Sequence, residues 1–423
     1  MALDVLVVGS GGREHALAWK LKTSPRIGKL YIAPGNGGTG LVGENVDINA
    51  TDFEALAKFA EEKGIGLTVV GPDDPLALGI VDFFEKKHLR IWGPSKAAAQ
   101  IEGSKAFSKQ LMREAGIPTA RFDVFNDYEA ARAGLRRHSL PVVVKASGLA
   151  LGKGVFICAT YEEGEAALKE MMVDKVFKDS GTEVVIEEFL IGQEISVHAM
   201  CDGMNFVLFP ASQDHKRALD GDKGKNTGGM GTIAPLPWLT ENDISTIGHS
   251  IVRPTLEALA ERGAPFKGLL YPGLILTPEG PKVLEYNARF GDPETQVYMR
   301  LLESDLLDLL EASVDGTIGN ARPTWRQAHA ANIVLASGGY PDAYKKGVPI
   351  TGIEAAEADA HVVVFHAGTK NEKSGLVTSG GRVLGVSALG NTLKGSLDVA
   401  YTAAEKIHFE GKQFRTDIGA KSL

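Results

Sequence analysis

The sequence predicts an α/β and α+β multidomain protein, with a parallel α/β part first, an antiparallel middle and a small mixed part last. Three observations carry that expectation. Short apolar runs alternate with amphipathic stretches over the first hundred residues. Strand-like runs at hairpin spacing fill the middle, and from about Trp325 the pattern changes again to strands closed by one helix. A length of 423 residues suits two or three domains.

The first apolar runs are Val5–Gly9, Leu30–Ala33, Leu67–Gly71 and Ile91–Gly93, with helical spacing between them, as in Phe53, Leu56, Ala57 and Ala60. Each run ends in glycine or proline, within GSGGREH, APGNGG, GPDDPL and GPSKAAAQ. Ligands of an open parallel sheet bind at the carboxyl ends of its strands, where these loops gather. Ser104 to Gly116 reads as one helix, capped by Ser104 and stopped by Gly116. Strands are expected around Val142–Ala146, Val155–Ala159, Val184–Phe189, Ile195–Met200, Phe206–Ala211, Leu269–Leu276 and Lys282–Tyr286. HAANIVLASGGYP, HVVVFHAG and RVLGVSALG are the late strands, and Thr392–His408 is the closing helix.

Composition narrows the function classes. Hydrophobic residues at 44% and charged residues at 23% describe a globular protein. Cys158 and Cys201 stand far apart outside any CxxC spacing, against a disulfide framework or zinc site. MALDVLVVGSGG does not read as a signal segment, and no run approaches 18 apolar residues. A net charge of −8 gives no general attraction to nucleic acid. Fifty glycines without a period gather in a few loops, which points to ligand sites built from backbone.

Five loops are candidates. At Gly9–His15, a strand, GSGG and a helix place backbone amides at a helix N-terminus, where anions bind. A dinucleotide fold fails here, because G-x-G-x-x-G needs glycine where Glu14 stands. The second strand also ends Ala33-Pro34-Gly35, with no acid for a ribose diol. One phosphate fits better; the glycines alone fit a tight turn that binds nothing equally well. SGLALGKG, Ser147–Gly154, is too short between Gly148 and Gly152-Lys153 for a P-loop and has no Ser or Thr after Lys153. A Gly-rich β-turn-β flap over phosphates remains, with Lys145 aimed at the same phosphates. A lone strand lysine also snorkels to solvent.

VVIEEFLIGQE joins two strands. Its backbone suits an adenine edge and Glu194 suits ribose hydroxyls, although alone it reads as a strand with a solvated acidic end. DHKRALDGDKGKNTGGMG, Asp214–Gly231, is polar and aperiodic, so it is either a functional loop or disordered. His215 alone is an ordinary loop histidine; the charge around it is the better signal. In LEYNARFGDPETQ, Glu285 and Asn287 stand two apart on a strand and share a face. Such oxygen donors suit Mg²⁺, completed by nucleotide phosphates. Arg289 on that face suits a transferring phosphoryl group. His361 and His366 fall on opposite strand faces and make no metal pair. The four tryptophans read as core, and Lys345-Lys346 as surface.

Together these segments resemble the ATP-grasp superfamily and, within it, the phosphoribosylamine–glycine ligase family. VLVVGSGGREHALAWK, APGNGGT, QIEGSKAFSK, KASGLALGKGV, SQDHKR, NTGGMG, GDPETQ, VFHAGTK and GGRVL occur in the family's order, essentially end to end. GGREHA, DHKR with NTGGMG, and RFGDPETQ are the specific motifs; many ATP-grasp enzymes share the flap. The resemblance implies an N-terminal ribose-phosphate domain at 1–103 and an ATP-grasp domain at 104–122 and 189–324. It also implies a mobile lid at 123–188 and a C-terminal domain at 325–423.

By matching motif positions, Lys105, Lys145, Ser147, Gly148, Gly152, Lys153 and Gly154 would contact ATP phosphates. Glu187, Glu188, Phe189, Leu190 and Glu194 would surround adenosine. Glu285 and Asn287 would hold Mg²⁺ or Mn²⁺. Arg289 would meet the γ-phosphate, acting catalytically with Asp214 and Asp292. His215, Lys216, Asn226, Thr227, Gly228 and Gly229 would complete the glycine and amine site. Gly11, Gly12, Arg13, Glu14, His15, Asn36 and Asp73 would take the ribose phosphate. The implied reaction joins glycine to 5-phosphoribosylamine through glycyl phosphate, consuming ATP in purine biosynthesis. The implied setting is cytoplasmic, with small-molecule partners only, no nucleic acid or membrane, and a monomer or weak dimer. Ser147 stands where the family has Asp, Leu151 where it has a small residue, and Asp73 where it has Glu; GTIAPLP replaces GAYSP. A biotin-dependent carboxylase component shares the flap but not GGREHA with DHKR. An NAD-dependent oxidoreductase is opposed by Glu14 and Pro34, and a silent nucleotide-binding regulator by Glu285, Asn287 and Arg289.

Overall fold

The computed structural model describes residues 2–149 and 154–423. Gly152, Lys153 and Leu151 of the flap lie outside the described residues. The first hundred residues form a five-stranded parallel sheet with Leu3–Gly9 at its centre. Ile27–Pro34 and then Glu44–Asn45 lie on one side; Leu67–Val70 and then Ile91–Trp92 lie on the other. The strand order therefore reverses at Leu3–Gly9, and a crevice opens beyond Gly9. Val5 to Val8 are fully buried because helices cover both faces, which explains an unbroken apolar run in place of alternation.

The helix expected from Ser104 runs Lys105–Glu114. The Ser104 hydroxyl accepts the Phe107 amide, and Gly116 takes the left-handed backbone just beyond the end. Next comes an antiparallel sheet in the order Phe122–Phe125, Val184–Glu188, Val142–Ala146, Val155–Cys158. Leu135, Val142, Val144, Leu168 and Ile186 give it a core of its own. A further antiparallel sheet pairs Gln193–Ser196 and Ala199–Asp202 with the long strand Lys267–Thr277, which also carries Gly280–Asn287.

The late strands His329–Ala336, Val362–His366 and Arg382–Gly390 share one sheet with Gln213–Asp214 and Gly231–Ala234 from mid-chain. Asp214 and Arg382 thus belong to the same sheet. Among the described residues no helix is long and apolar enough to cross a membrane. Both cysteines are buried and free.

Two expectations need correcting. Ile195–Met200 is not one strand: it breaks at Val197-His198, opposite Tyr271-Pro272, where proline has no amide to extend the ladder. Of the two alternatives for Asp214–Gly231, disorder fails, because the segment carries strands of its own. Arg217–Leu219 pairs with Lys223–Asn226 as a two-stranded ribbon. Buried Arg415 grips its turn through Asp222 at 2.8 Å, while Asp220 receives the Thr416 amide at 2.8 Å.

Candidate functional site

Glycine loops at strand ends and a floor of buried charge build the site. At its N-terminal edge, the Glu14 carboxylate accepts the Gly11 amide at 2.6 Å and Arg13 Nε at 2.5 Å. It lies across the ends of two neighbouring strands, where a Cβ on Gly9 or Gly71 would overlap it. Position 14 therefore needs a carboxylate and its strand ends need glycine. The expected row of free amides loses Gly11 to Glu14, while Gly12 to Glu14 open the helix with no earlier helical carbonyl to bond. Asp73 starts the helix Asp73–Leu78, close enough to Arg289 and Glu102 to affect their charges.

Two expected phosphate ligands are spent inside the fold. The His15 ring is buried, its Nδ1 accepts the His366 amide at 2.8 Å, and burial with His366 nearby lowers its pKa to about 3. It is a neutral packing group. Asn36 donates to the Ser10 and His366 carbonyls and accepts the Gly38 and Thr39 amides, so its side chain builds its own loop.

The flap strand meets the N-terminus of helix Lys105–Glu114. Lys105 Nζ donates to the Gly148 carbonyl at 3.2 Å. Ser147 is turned away from the cleft: its hydroxyl accepts the Ala106 amide at 3.1 Å and donates to Glu183 at 3.0 Å. It acts as a second cap on that helix rather than a free phosphate ligand. The Gly154 carbonyl accepts the Ala146 amide, and a Cβ on Gly148 would press into Ser180.

Glu187 is 2% exposed, so the solvated acidic end is overturned. Its carboxylate bridges Lys145 and Lys109, the latter at 2.6 Å. Burial works against its ionisation, yet the two lysines hold it below the usual carboxylate range. Burial pulls Lys109 down to about 8 against the pull of Glu187. Lys109 was missed, although it stands four residues after Lys105 on one helix face. Glu188 is half-buried and accepts the Arg121 amide at 2.9 Å. Phe189, Leu190 and Glu194 follow at a rim where Phe189 and Glu194 are exposed.

Glu285 and Asn287 do share a strand face, and Arg289 donates to Asn287 Oδ1 at 3.0 Å. The Glu285 carboxylate makes no hydrogen bond among the described residues, although its backbone sits in the strand ladder opposite Gly273. Burial works against its ionisation, but Lys216, Lys145, Lys105 and Arg289 together hold its pKa below the usual range. Arg289 is held by Glu102 at 3.0 Å, a partner that sequence reasoning missed although QIEGSK contains it. No group of three histidine, cysteine or carboxylate side chains with metal-binding spacing occurs among the described residues. One ionised, unpaired carboxylate beside an amide oxygen fits a hard cation that takes its other oxygens from phosphates and water.

A cleft lined by Glu194, Ser196, Asp214, Lys216, Tyr271 and Glu285 runs beneath this face. Burial raises Asp214 to about 7, with Glu294 adding to the rise and Lys216 opposing it. Glu294, also missed, is buried and accepts the Tyr271 hydroxyl at 2.5 Å. Asp292 accepts Arg382 at 3.1 Å and Gln296 at 2.8 Å. Gly229 has a φ of +111°, and a Cβ there would strike Pro293 and Asp214. Thr227 ties back to the Lys216 carbonyl at 2.8 Å, and Asn226 ends the ribbon. His215 does not reach this cleft. Its Nδ1 donates to the Gly231 carbonyl and its Nε2 accepts the Gly419 amide, and burial lowers its pKa to about 4.

Comparison with known proteins is consistent along the whole chain. Models of the phosphoribosylglycinamide synthetase N domain, ATP-grasp (A) domain and C domain match residues 3–102, 103–295 and 330–421. The chain belongs to the phosphoribosylglycinamide synthetase family. It is 48% identical to a phosphoribosylamine–glycine ligase of Ralstonia nicotianae over the full length of both. The crystal structure of a phosphoribosylamine–glycine ligase from Thermotoga maritima matches with a TM-score of 0.86 at 35% identity. That match covers 98% of this chain and 100% of the other. A biotin carboxylase domain from Hydrogenobacter thermophilus matches with a TM-score of 0.72 at 18% identity, over 98% of this chain and 92% of that one. The latter likeness is one of fold alone. Phosphoribosylglycinamide synthetases are ATP-dependent ligases of the ATP-grasp fold, and the NAD-dependent oxidoreductase reading does not survive.

Proposed function

We propose that this protein ligates glycine to 5-phosphoribosylamine, forming glycinamide ribonucleotide, ADP and phosphate in purine biosynthesis. One observation carries the reading: Glu285 lines the Asp214 cleft with its carboxylate free of hydrogen bonds among the described residues, and Lys216, Lys145, Lys105 and Arg289 hold its pKa below the usual carboxylate range. Such a cluster suits triphosphate on one side and an amino acid on the other. In this reading Lys105, Lys145 and the flap hold the phosphates, with Glu187 fixing Lys145 from below. Phe189, Leu190 and Glu194 take adenosine; Gly12 and Arg13 take the phosphate of phosphoribosylamine, and Asp73 accepts from its ribose hydroxyls. A divalent cation at Glu285 and Asn287, Mg²⁺ or Mn²⁺, would neutralise charge on the phosphate oxygens.

The glycine carboxylate attacks the γ-phosphorus, the bond to ADP breaks, and Arg289 neutralises charge on the transferring group. The amine then attacks the glycyl carbonyl and phosphate leaves. Asp214, with a proton affinity near neutrality, accepts the amine proton. Little covalent work falls to the protein, so positioning and charge neutralisation dominate.

The test is ADP release from the purified protein with Mg²⁺-ATP and glycine, with and without phosphoribosylamine generated in situ. Release that needs both substrates, with a product of glycinamide ribonucleotide mass, supports the reading. Release driven by bicarbonate or another carboxylate overturns it.

A further inference from the structure

Arg382 opens the strand Arg382–Gly390, about ninety residues after the turn that its side chain grips. One guanidinium holds three acceptors from two separate segments. Nη1 donates to the Gly228 carbonyl at 2.5 Å and to the Asp292 carbonyl at 2.6 Å, and Nη2 donates to the Asp292 carboxylate at 3.1 Å. The fit is tight, since a Cβ on Gly228 would lie 2.8 Å from the guanidinium carbon. From the same late segment, the Tyr340 hydroxyl accepts the Gly228 amide at 3.1 Å. Gly228 is thus held on both sides by residues absent from the sequence-level site.

Resting on the glycine subsite proposed above, we infer that Arg382 is a positioning residue for glycine. It locks the Thr227–Gly229 loop onto the Asp292 turn, so that Asp214 and the Gly229 backbone meet glycine in one geometry. The anchorage of its own strand does not depend on this side chain. Arg382–Gly390 is paired along its length with His329–Ala336, and further residues pair with Val362–His366. Among the described residues, the three bonds of the guanidinium all run to the loop and the turn. A planar fork suits three acceptors at once; an ammonium reaches fewer of them.

The Asp292 turn is gripped from the other end of the chain as well. Arg13 donates to the Phe290 carbonyl at 3.2 Å. Two arginines, one before and one after the ATP-grasp region, therefore hold residues 290–292 from both flanks. Arg13 belongs to the ribose-phosphate loop and Arg382 contacts the glycine loop directly.

The test measures KM for glycine, KM for ATP and kcat in the wild type, Arg382→Lys and Arg382→Ala, with thermal midpoints recorded alongside. Arg382→Ala is expected to raise glycine KM tenfold or more, about 1.4 kcal/mol per tenfold, with ATP KM within about twofold. Arg382→Lys is expected to fall between the two. Millimolar ethylguanidinium is expected to recover part of the Arg382→Ala loss without changing its thermal midpoint. Should the alanine variant not fold, the lysine variant carries the comparison. Equal changes in both KM values, an unchanged glycine KM, or a loss that guanidinium cannot recover would overturn the role. A wild type that needs no glycine for ATP turnover would instead sink the proposed reaction.

Discussion

Replacing Glu285 by alanine tests the centre of the site, because this carboxylate is ionised yet free of internal hydrogen bonds among the described residues. Its lowered pKa means the folded protein favours the charged form, through Lys216, Lys145, Lys105 and Arg289. The stability it contributes is present above the unfolded carboxylate pKa and is lost as pH falls through the folded value. Glu285→Ala removes that contribution at neutral pH but orphans no hydrogen-bond partner, so a thermal shift of only a few degrees is expected. Catalysis should suffer far more. A carboxylate that anchors a divalent cation supports several kcal/mol of transition-state charge stabilisation. About 4 kcal/mol corresponds to three powers of ten in rate. The assay is ADP release at saturating glycine and phosphoribosylamine over a Mg²⁺ titration, with a melting curve on the same sample. Glu285→Gln keeps the side-chain volume and should show the same loss. Near-normal kcat in either variant, at the Mg²⁺ concentration that saturates the wild type, would refute the assignment.

Four further outcomes are expected. Arg13→Ala should raise KM for phosphoribosylamine more than KM for ATP, and equal effects in steady-state kinetics would detach this loop from the ribose phosphate. Lys109→Ala should destabilise the protein by about 1–3 kcal/mol, because buried Glu187 loses one of its two lysines while Lys145 stays, as read by denaturant titration. Asp214, raised to about 7, keeps its proton in the folded state while the unfolded chain has lost it. Stability should therefore fall between about pH 4 and pH 7, and Asp214→Asn should remove that slope in pH-dependent melting curves. Gly71→Ala should displace Glu14 from the Gly11 amide and weaken phosphoribosylamine binding more than ATP binding, as measured by KM.

Much of the fold was legible because its strands carry strong local signals. Val5–Val8 and, beside it, Leu30–Ala33 are buried runs of apolar side chains, and Ser104 and Gly116 mark their helix at both ends. The break at Val197-His198 was hidden because its cause, Pro272, lies on the partner strand rather than in the segment itself. The ribbon inside Asp214–Gly231 was hidden because ion pairs to Arg415 and Lys421 hold its turn, without any apolar period of its own. The extension of the late sheet by Gln213–Asp214 and Gly231–Ala234 is a long-range pairing that a local pattern cannot reveal.

The site shows the same division more sharply. Motifs brought out Glu285, Asn287, Arg289, Lys105 and Lys145, whose backbone positions set their direction. Histidine and asparagine in the same motifs misled, because a polar side chain in a loop serves the backbone as readily as a ligand. His15, His215 and Asn36 all bond to amides or carbonyls within the fold. The residues overlooked were the partners: Glu102 for Arg289, Lys109 for Glu187, Glu294 for Tyr271 and Arg382 for Asp292. Each neutralises or orients a site group from beneath, and three of these four pairings join segments well separated in sequence. Buried charge is costly unless paired, so a cleft that gathers four cations around one free carboxylate requires such partners. In the proposed site, the motifs supply the groups that would face the ligand, and the fold supplies the counter-charges that hold those groups in place.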